Sequence, residues 1–298
     1  MQLMIECHGG LGDQVCAEPT FRFINTHWPR YNLHIITNHP ELFTHLNAKI
    51  YDHDVRGISG PCLKVNTHPK DDIFMEFPQV HTVDYISLRL LKMQLPAADR
   101  QIKIPVKPEH FESVKKYDIS DAVIVHPGSS WQSKTFPASV WQSYINILLK
   151  NGHKVAVIGK NYRPNKDEVR GIVPPDLWGC INLIDKLSLL EMCAVLASSP
   201  ILITNDSGPA HLSGAFSNEV GIISTVRRPD TLFHWRDGVF GKGYHSLEAY
   251  PVYDRFLPDV IGGGQVFNQH WLPAEEMGRA LPSPESILTF VEKLKNEK

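Results

Sequence analysis

Short apolar runs alternate with amphipathic ones from the first residues onward. Leu3 to Glu6 is a β-type run, a Gly-rich stretch follows, and helical spacing runs from about Gln14 to His27. Leu33 to Thr37 reads as the next strand, so the chain opens as a βαβ unit. The middle of the first half is less regular. Ile102-Lys103-Ile104-Pro105 reads as its last strand, and residues 105–108 as a connection. A second series starts near Asp121. Ala122 to Val125 predicts a strand, and Pro137 opens a helix with Val140, Tyr144, Ile147 and Leu148 on one face. Asn151-Gly152 closes that helix, and Val155 to Ile158 is the next strand. Ser188 and Glu191 have the spacing of a capping box, which predicts a helix from Leu189 to about Ala197. The strand Pro200 to Ile203 leads into a small-residue helical pattern, Leu212 to Phe216, and then the strand Val220 to Ile223. From Ser224 to Leu281 the periodicity fades among Gly, Pro and aromatic residues, which predicts long loops. Ser283-Pro284-Glu285 starts a final helix that runs to about Lys295.

Two such series predict an α/β protein of two Rossmann-like, doubly wound domains facing a central cleft, 1–110 and 111–282. The last helix, 283–298, is free to pack back on the N-terminal domain. Ligands of such sheets bind outside the carboxyl ends of the strands. The 298 residues are 42% hydrophobic and 21% charged, an ordinary globular balance. The formal net charge of -2 provides no overall field for nucleic acid or an anionic membrane. The five cysteines are scattered, with no Cys-x-x-Cys, as expected of free thiols in a reducing compartment. Neither they nor the 15 histidines show metal-ligand spacing, so no metal and no cofactor is expected. No signal-peptide pattern and no membrane-spanning run is evident. A cytoplasmic location is expected, with a peripheral position at the inner membrane face left open.

Three loops at strand ends carry the candidate chemistry. Thr204-Asn205-Asp206-Ser207-Gly208-Pro209-Ala210-His211 joins an apolar strand to a helical pattern. Backbone N–H groups at such a junction favour a phosphate group, so Asp206, Ser207, Gly208 and His211 are candidates for a site that holds a phosphorylated ligand. Asp206 and Ser207 as helix caps is the plainer reading, and the two are compatible. The loop His126-Pro127-Gly128-Ser129-Ser130-Trp131-Gln132-Ser133-Lys134 offers hydroxyls, backbone donors and one cation, which suit a diphosphate. A polar connection with a solvated Lys134, and a merely structural His126, are the alternatives. In His8-Gly9-Gly10-Leu11-Gly12-Asp13, the glycines Gly9, Gly10 and Gly12 let a ligand approach the backbone, without the spacing of a dinucleotide or P-loop motif. Asp13 is either the helix cap or a general base in the cleft. Arg227-Arg228 either meets an anion or is solvated. His234, Trp235, Arg236 and Asp237 are candidate pocket residues.

Taken in order, Gly-Gly-Leu-Gly-Asp13, His126-Pro-Gly-Ser…Lys134-x-Phe-Pro137 and Leu189…Asn205-Asp206-Ser207-Gly208-Pro209-x-His211 resemble glycosyltransferase family nine, the heptosyltransferase-like enzymes. The resemblance covers roughly residues 1–30 and 120–225. It implies the GT-B fold, an inverting mechanism without metal, and a nucleotide-sugar donor held mainly by the C-terminal domain. By position it makes Asp13 the base, Lys134 the lysine at the donor phosphates, and Asp206, Ser207, Gly208 and His211 the donor-binding turn. Two positions depart from the family pattern. Asp185 stands where a Gly is common, and Ser224-Thr225-Val226-Arg227-Arg228-Pro229 replaces Phe-Gly-Pro-Thr. Asp167 and Glu168 are the candidates for holding the donor ribose. The expected activity is transfer of a sugar from a nucleoside diphosphate to a hydroxyl of a glycan, such as a lipopolysaccharide core, or of another acceptor. A nucleotide-sugar epimerase, a non-catalytic binding module, and transfer to a modified DNA base are the alternatives.

Overall fold

The computed structural model describes residues 2–52, 62–66, 81–128, 134–161, 176–224, 229–247 and 281–297. Strand β1 (Gln2–His8) passes through Gly9 and Gly10 into helix α1 (Leu11–His27). The helix starts before Gln14 because Gly10 is its N-cap and Asp13, at the third helical position, accepts the Gly10 N–H. Three further strands, β2 (Asn32–Thr37), β3 (Ala48–Asp52) and β4 (Cys62–Asn66), complete a parallel sheet in the order β3-β2-β1-β4. Helices α2 (Thr82–Leu91) and α3 (Pro108–Lys115) follow.

Residues 102–105 are not a strand. Ile102 is buried, but the backbone here bonds to side chains of α1 rather than to a sheet. Glu18 accepts the Lys103 N–H at 2.9 Å, and Arg22 donates to the carbonyls of Asp99 and Gln101. Glu18 is fully buried and also pairs with Arg22 and His45. The apolar alternation of this run therefore reports burial along α1.

The second sheet is built from β5 (Val123–His126), β6 (Val155–Val157), β7 (Ile181–Asn182), β8 (Ile201–Asn205), β9 (Glu219–Ile223) and β12 (Tyr244–Leu247). They are parallel, in the order β12-β9-β8-β5-β6-β7. Helix α4 (Ala138–Lys150) ends at Asn151, and Gly152 follows at φ 79°, where a side chain would be strained. Helix α5 (Leu189–Ser198) carries the expected capping box: Glu191 N–H donates to the Ser188 hydroxyl and Ser188 N–H to the Glu191 carboxylate. Asp185 takes φ 58°, the left-handed region that favours glycine, and its carboxylate accepts the Asn161 N–H.

The central strands β5 and β8 are buried on both faces, as parallel strands require. Ile124 and Leu202 join a cluster that runs continuously into Ile5, Val15, Phe21 and Ile35 of the first half. Val123, Val125, Ile201 and Ile203 face the other way, onto Trp141, Tyr144, Ile287 and Val291. Those last two belong to the final helix, α7 (Pro284–Asn296), capped by Ser283. It thus packs on α4 and the second sheet rather than back on the N-terminal domain. Its Ile287, Val291 and Leu294 join Trp141, Tyr144 and Leu148 of α4 in one buried cluster, and the Tyr144 hydroxyl donates to the Pro282 carbonyl at the entry to the helix.

The faded region is more regular than its composition predicts. Within 229–247, β10 (Trp235–Arg236) and β11 (Val239–Phe240) form a hairpin around Asp237-Gly238, both at positive φ, and β12 adds the edge strand next to β9. Arg236 is buried, donating to the carbonyls of Asn218 and Ser213 and lying over the Tyr244 ring. His234, Trp235 and Arg236 are thus core residues, while Asp237 turns the hairpin and pairs with Lys242. No helix among the described residues is long and apolar enough to cross a membrane.

Candidate active site

The chain between β8 and β9 is tighter than the pattern predicts. Helix α6 spans only Gly208–Leu212, followed by a 3-10 turn at Ser213–Ala215. So short a helix has little macrodipole, and anion binding here depends on side chains and individual N–H groups. Ser207 is the N-cap residue of α6 by position, but its side chain makes no cap hydrogen bond. The Ser207 hydroxyl lies 2.9 Å from the Thr204 hydroxyl and 3.0 Å from His126 Nδ1. The Asp206 carboxylate lies 2.6 Å from Lys134 Nζ, and both side chains are buried. Asn205 donates to the Lys134 carbonyl at 2.8 Å, so both the backbone and the ammonium of Lys134 are tied to the β8 turn. Lys134 is therefore not a solvated loop cation. Gly128 is buried just beyond β5. Ser129 and Ser130 lie outside the described residues, as do Trp131 to Ser133, Asp167, Glu168, Arg227 and Arg228.

His126 ends β5, and its Nδ1 faces the hydroxyls of Ser207 and Thr204. Burial pushes its pKa down to about 4, so it is neutral at physiological pH and orients Ser207 without supplying charge. The unfolded chain takes up this proton near pH 6.5, the folded one only near pH 4. Stability is thus full above the upper value and falls as pH drops through the window, by about 2 kcal/mol at about pH 5 for this group alone. His234, also held low by burial, acts in the same direction. Urea unfolding at about pH 7.5 and about pH 5 is expected to show this loss, with His126→Gln flattening it. An equal acid sensitivity in His126→Gln would place the titration elsewhere.

The glycine loop of the first half lies directly against this turn. Its glycines have separate tasks. Gly9 takes φ 112°, and Gln14 donates to its carbonyl, holding the loop closed. Gly10 is the N-cap. Gly12 lies so close to His211 that a Cβ there would be 2.5 Å from the ring. A Cβ on Gly208 would be 2.8 Å from Leu11. The α1 backbone at Gly12 thus lies against the His211 ring of α6, and the α6 backbone at Gly208 against the Leu11 side chain of α1, which sets the Asp13 loop beside the Asp206 turn. Asp13 is partly exposed there, its Oδ2 accepting the Gly10 N–H at 2.8 Å. Its negative charge, second to burial, helps to push the Cys7 thiol pKa up. Asp13 is therefore a cap in fact, with part of its surface open. His211 is buried rather than open to a ligand: its Nδ1 lies 2.8 Å from His234 Nε2 and 3.5 Å from Cys16 Sγ. Cys16 carries no signal in the sequence and His234 reads there only as a candidate pocket residue, because the three residues come from remote segments.

Two parallel Rossmann-like sheets with the loops at their carboxyl ends brought together define the GT-B class of glycosyltransferase folds. Solved structures bear this out. The chain superposes along its whole length on 98% of a family 9 glycosyltransferase from Veillonella parvula, with a TM-score of 0.67 at 15% identity. It also covers all of the Escherichia coli ADP-heptose lps heptosyltransferase II, with a TM-score of 0.64 at 12% identity. The model of glycosyltransferase family 9 (heptosyltransferase) matches residues 70–222, just over half of the chain, and the protein belongs to that family. A curated relative, lipooligosaccharide heptosyltransferase 2 of Haemophilus influenzae, is 29% identical over 149 residues. That match spans 44% of this chain and 42% of the relative.

Proposed function

We propose that the protein is an inverting, metal-independent glycosyltransferase that uses a nucleoside-diphosphate sugar, of the ADP-heptose type, and a glycan hydroxyl as acceptor. The observation that carries this reading is the contact of Leu11 and Gly12, beside Asp13, with Gly208 and His211, beside the Asp206 partner of Lys134. The family supplies the donor class, since the E. coli relative of the same fold is an ADP-heptose enzyme. In this reaction the acceptor oxygen forms a bond to the anomeric carbon while the bond from that carbon to the diphosphate breaks. The Asp13 carboxylate takes the acceptor proton. The departing nucleoside diphosphate gathers negative charge, which Lys134, the Ser207 hydroxyl and the N–H groups around Gly208 offset. Gly128, with Ser129 and Ser130, completes the phosphate side, and Gly9, Gly10 and Gly12 form the acceptor side. The protein works in the cytoplasm, at the inner membrane face if its acceptor is a lipid-linked core.

The test has two arms. A thermal-shift screen over nucleoside diphosphates is expected to single out ADP, since a ligand at a hundred times its Kd adds about 2.7 kcal/mol to the folded state. ADP-heptose with a heptose-acceptor glycan in excess chelator is then expected to yield glycosylated acceptor with inverted anomeric configuration. Binding without turnover points to a sugar-nucleotide binding module. Altered nucleotide sugar without acceptor points to an epimerase, and label on hydroxymethylated DNA points to a DNA-modifying enzyme. Each of these outcomes overturns the proposal.

A further inference from the structure

We propose that Cys16, His211 and His234 form a buried site for a zinc-class divalent ion that ties the two halves of the molecule together. The thiol comes from α1, one ring from α6 and the other from the segment before β10. Their three donor atoms lie within 4.8 Å of one another. Zinc binds sulfur at about 2.3 Å and imidazole nitrogen at about 2.0–2.1 Å, so a tetrahedral ion spaces S and N by about 3.5 Å and two N atoms by about 3.3 Å. The Cys16–His211 spacing of 3.5 Å already fits. The two rings, at 2.8 Å, need to part by only about half an ångström when an ion replaces the proton between them.

The three donor atoms converge on one point. His211 Nδ1 has either one proton or one in-plane lone pair, yet both Cys16 Sγ and His234 Nε2 face it. One proton or one lone pair on this atom makes a full bond to only one of the two neighbours at a time. A divalent ion at the centre of the three atoms uses the lone pair of each at once. Burial favours the same state. Cys16 and His234 are fully inaccessible, and burial keeps His234 neutral, the form that carries a lone pair on Nε2. One thiolate and two neutral imidazoles are a zinc-type ligand set that leaves a fourth position for a hydroxide or water.

Placement gives the ion a consequence. Gly12 and Cys16 lie one turn apart on α1 and both touch the His211 ring, which is held on the other side by His234. An ion at this point locks α1 to α6. It thereby reinforces the contact that Gly12 and Gly208 already give these helices, without touching the reacting groups. This role is positional and separate from the metal-independent chemistry proposed above.

Cobalt(II) titration of reduced, chelator-stripped protein tests the site without using turnover. The expected result is one equivalent bound, with the visible bands of a tetrahedral ion and a thiolate-to-cobalt charge-transfer band, both removed by zinc. Cys16→Ser is expected to lose the charge-transfer band although the other four cysteines remain. His234→Gln is expected to weaken binding at least about tenfold. Circular dichroism checks that each variant is folded. Absence of the charge-transfer band in the wild-type protein overturns the proposal by itself, whatever the variants do. So does a band that persists unchanged in Cys16→Ser.

Discussion

Asp13→Asn is expected to transfer sugar at least about a hundredfold more slowly than the wild type while binding donor normally. A positioned base contributes typically about 10²–10⁴-fold to rate, and one that acts only on the attacking hydroxyl contributes little to ground-state binding. The structure makes this substitution informative. The Asp13 carboxylate accepts the Gly10 N–H through one oxygen, and an Asn carbonyl can accept the same bond. The helix start is therefore kept and only the basic group is lost. The melting temperature should stay near that of the wild type. Asp13→Ala removes the bond as well, at a cost of about 1 kcal/mol, and separates the capping role from the catalytic one. Kinetics of transfer, donor titration and thermal melts on the two variants decide the matter. An Asp13→Asn enzyme of wild-type rate would leave this residue as a helix cap and nothing more.

Lys134→Ala is expected to destabilise the protein by about 3–5 kcal/mol. From the sequence alone, Lys134 reads as a loop cation that could be removed without harm to the fold. The structure corrects that expectation, because Lys134 and Asp206 form a buried ion pair. Removing the ammonium leaves a carboxylate out of water with its charge uncompensated. For a chain of this length the melting temperature should fall by on the order of 10 °C. Replacing both partners, as in Lys134→Met with Asp206→Leu, should restore much of the loss, since no buried charge then remains. Donor binding separates structure from function at this pair. If Lys134 meets the donor diphosphate, the double variant is stable but binds ADP at least about tenfold more weakly. A stable double variant with wild-type ADP affinity would remove Lys134 from the donor site. A Lys134→Ala protein as stable as the wild type would show that the pair is open to solvent.

What the sequence by itself determined was set by short-range chemistry. The two βα series follow from alternating runs, and the capping box at Ser188 and Glu191, the stop at Asn151-Gly152 and the final cap at Ser283 each depend on residues within a turn of one another. The places of Gly9, Gly10 and Asp206 just beyond the carboxyl ends of β1 and β8 were legible for the same reason. The Asp237-Gly238 hairpin carried a local signal of its own, obscured by the surrounding aromatic and Gly residues. Tertiary structure decided the rest. Ile102 to Pro105 has strand-like alternation, but Glu18 and Arg22, about eighty residues earlier, take up the backbone groups around it. The final helix has an apolar stripe that would fit more than one surface, and only the folded chain shows that it lies against Trp141, Tyr144 and Leu148 of α4. Lys134 is a paired residue only because β8 runs beside β5 and places Asp206 within reach. Cys16, His211 and His234 share no spacing that a sequence could reveal. They meet because Gly12 and Gly208 lack side chains at the point where α1 and α6 touch.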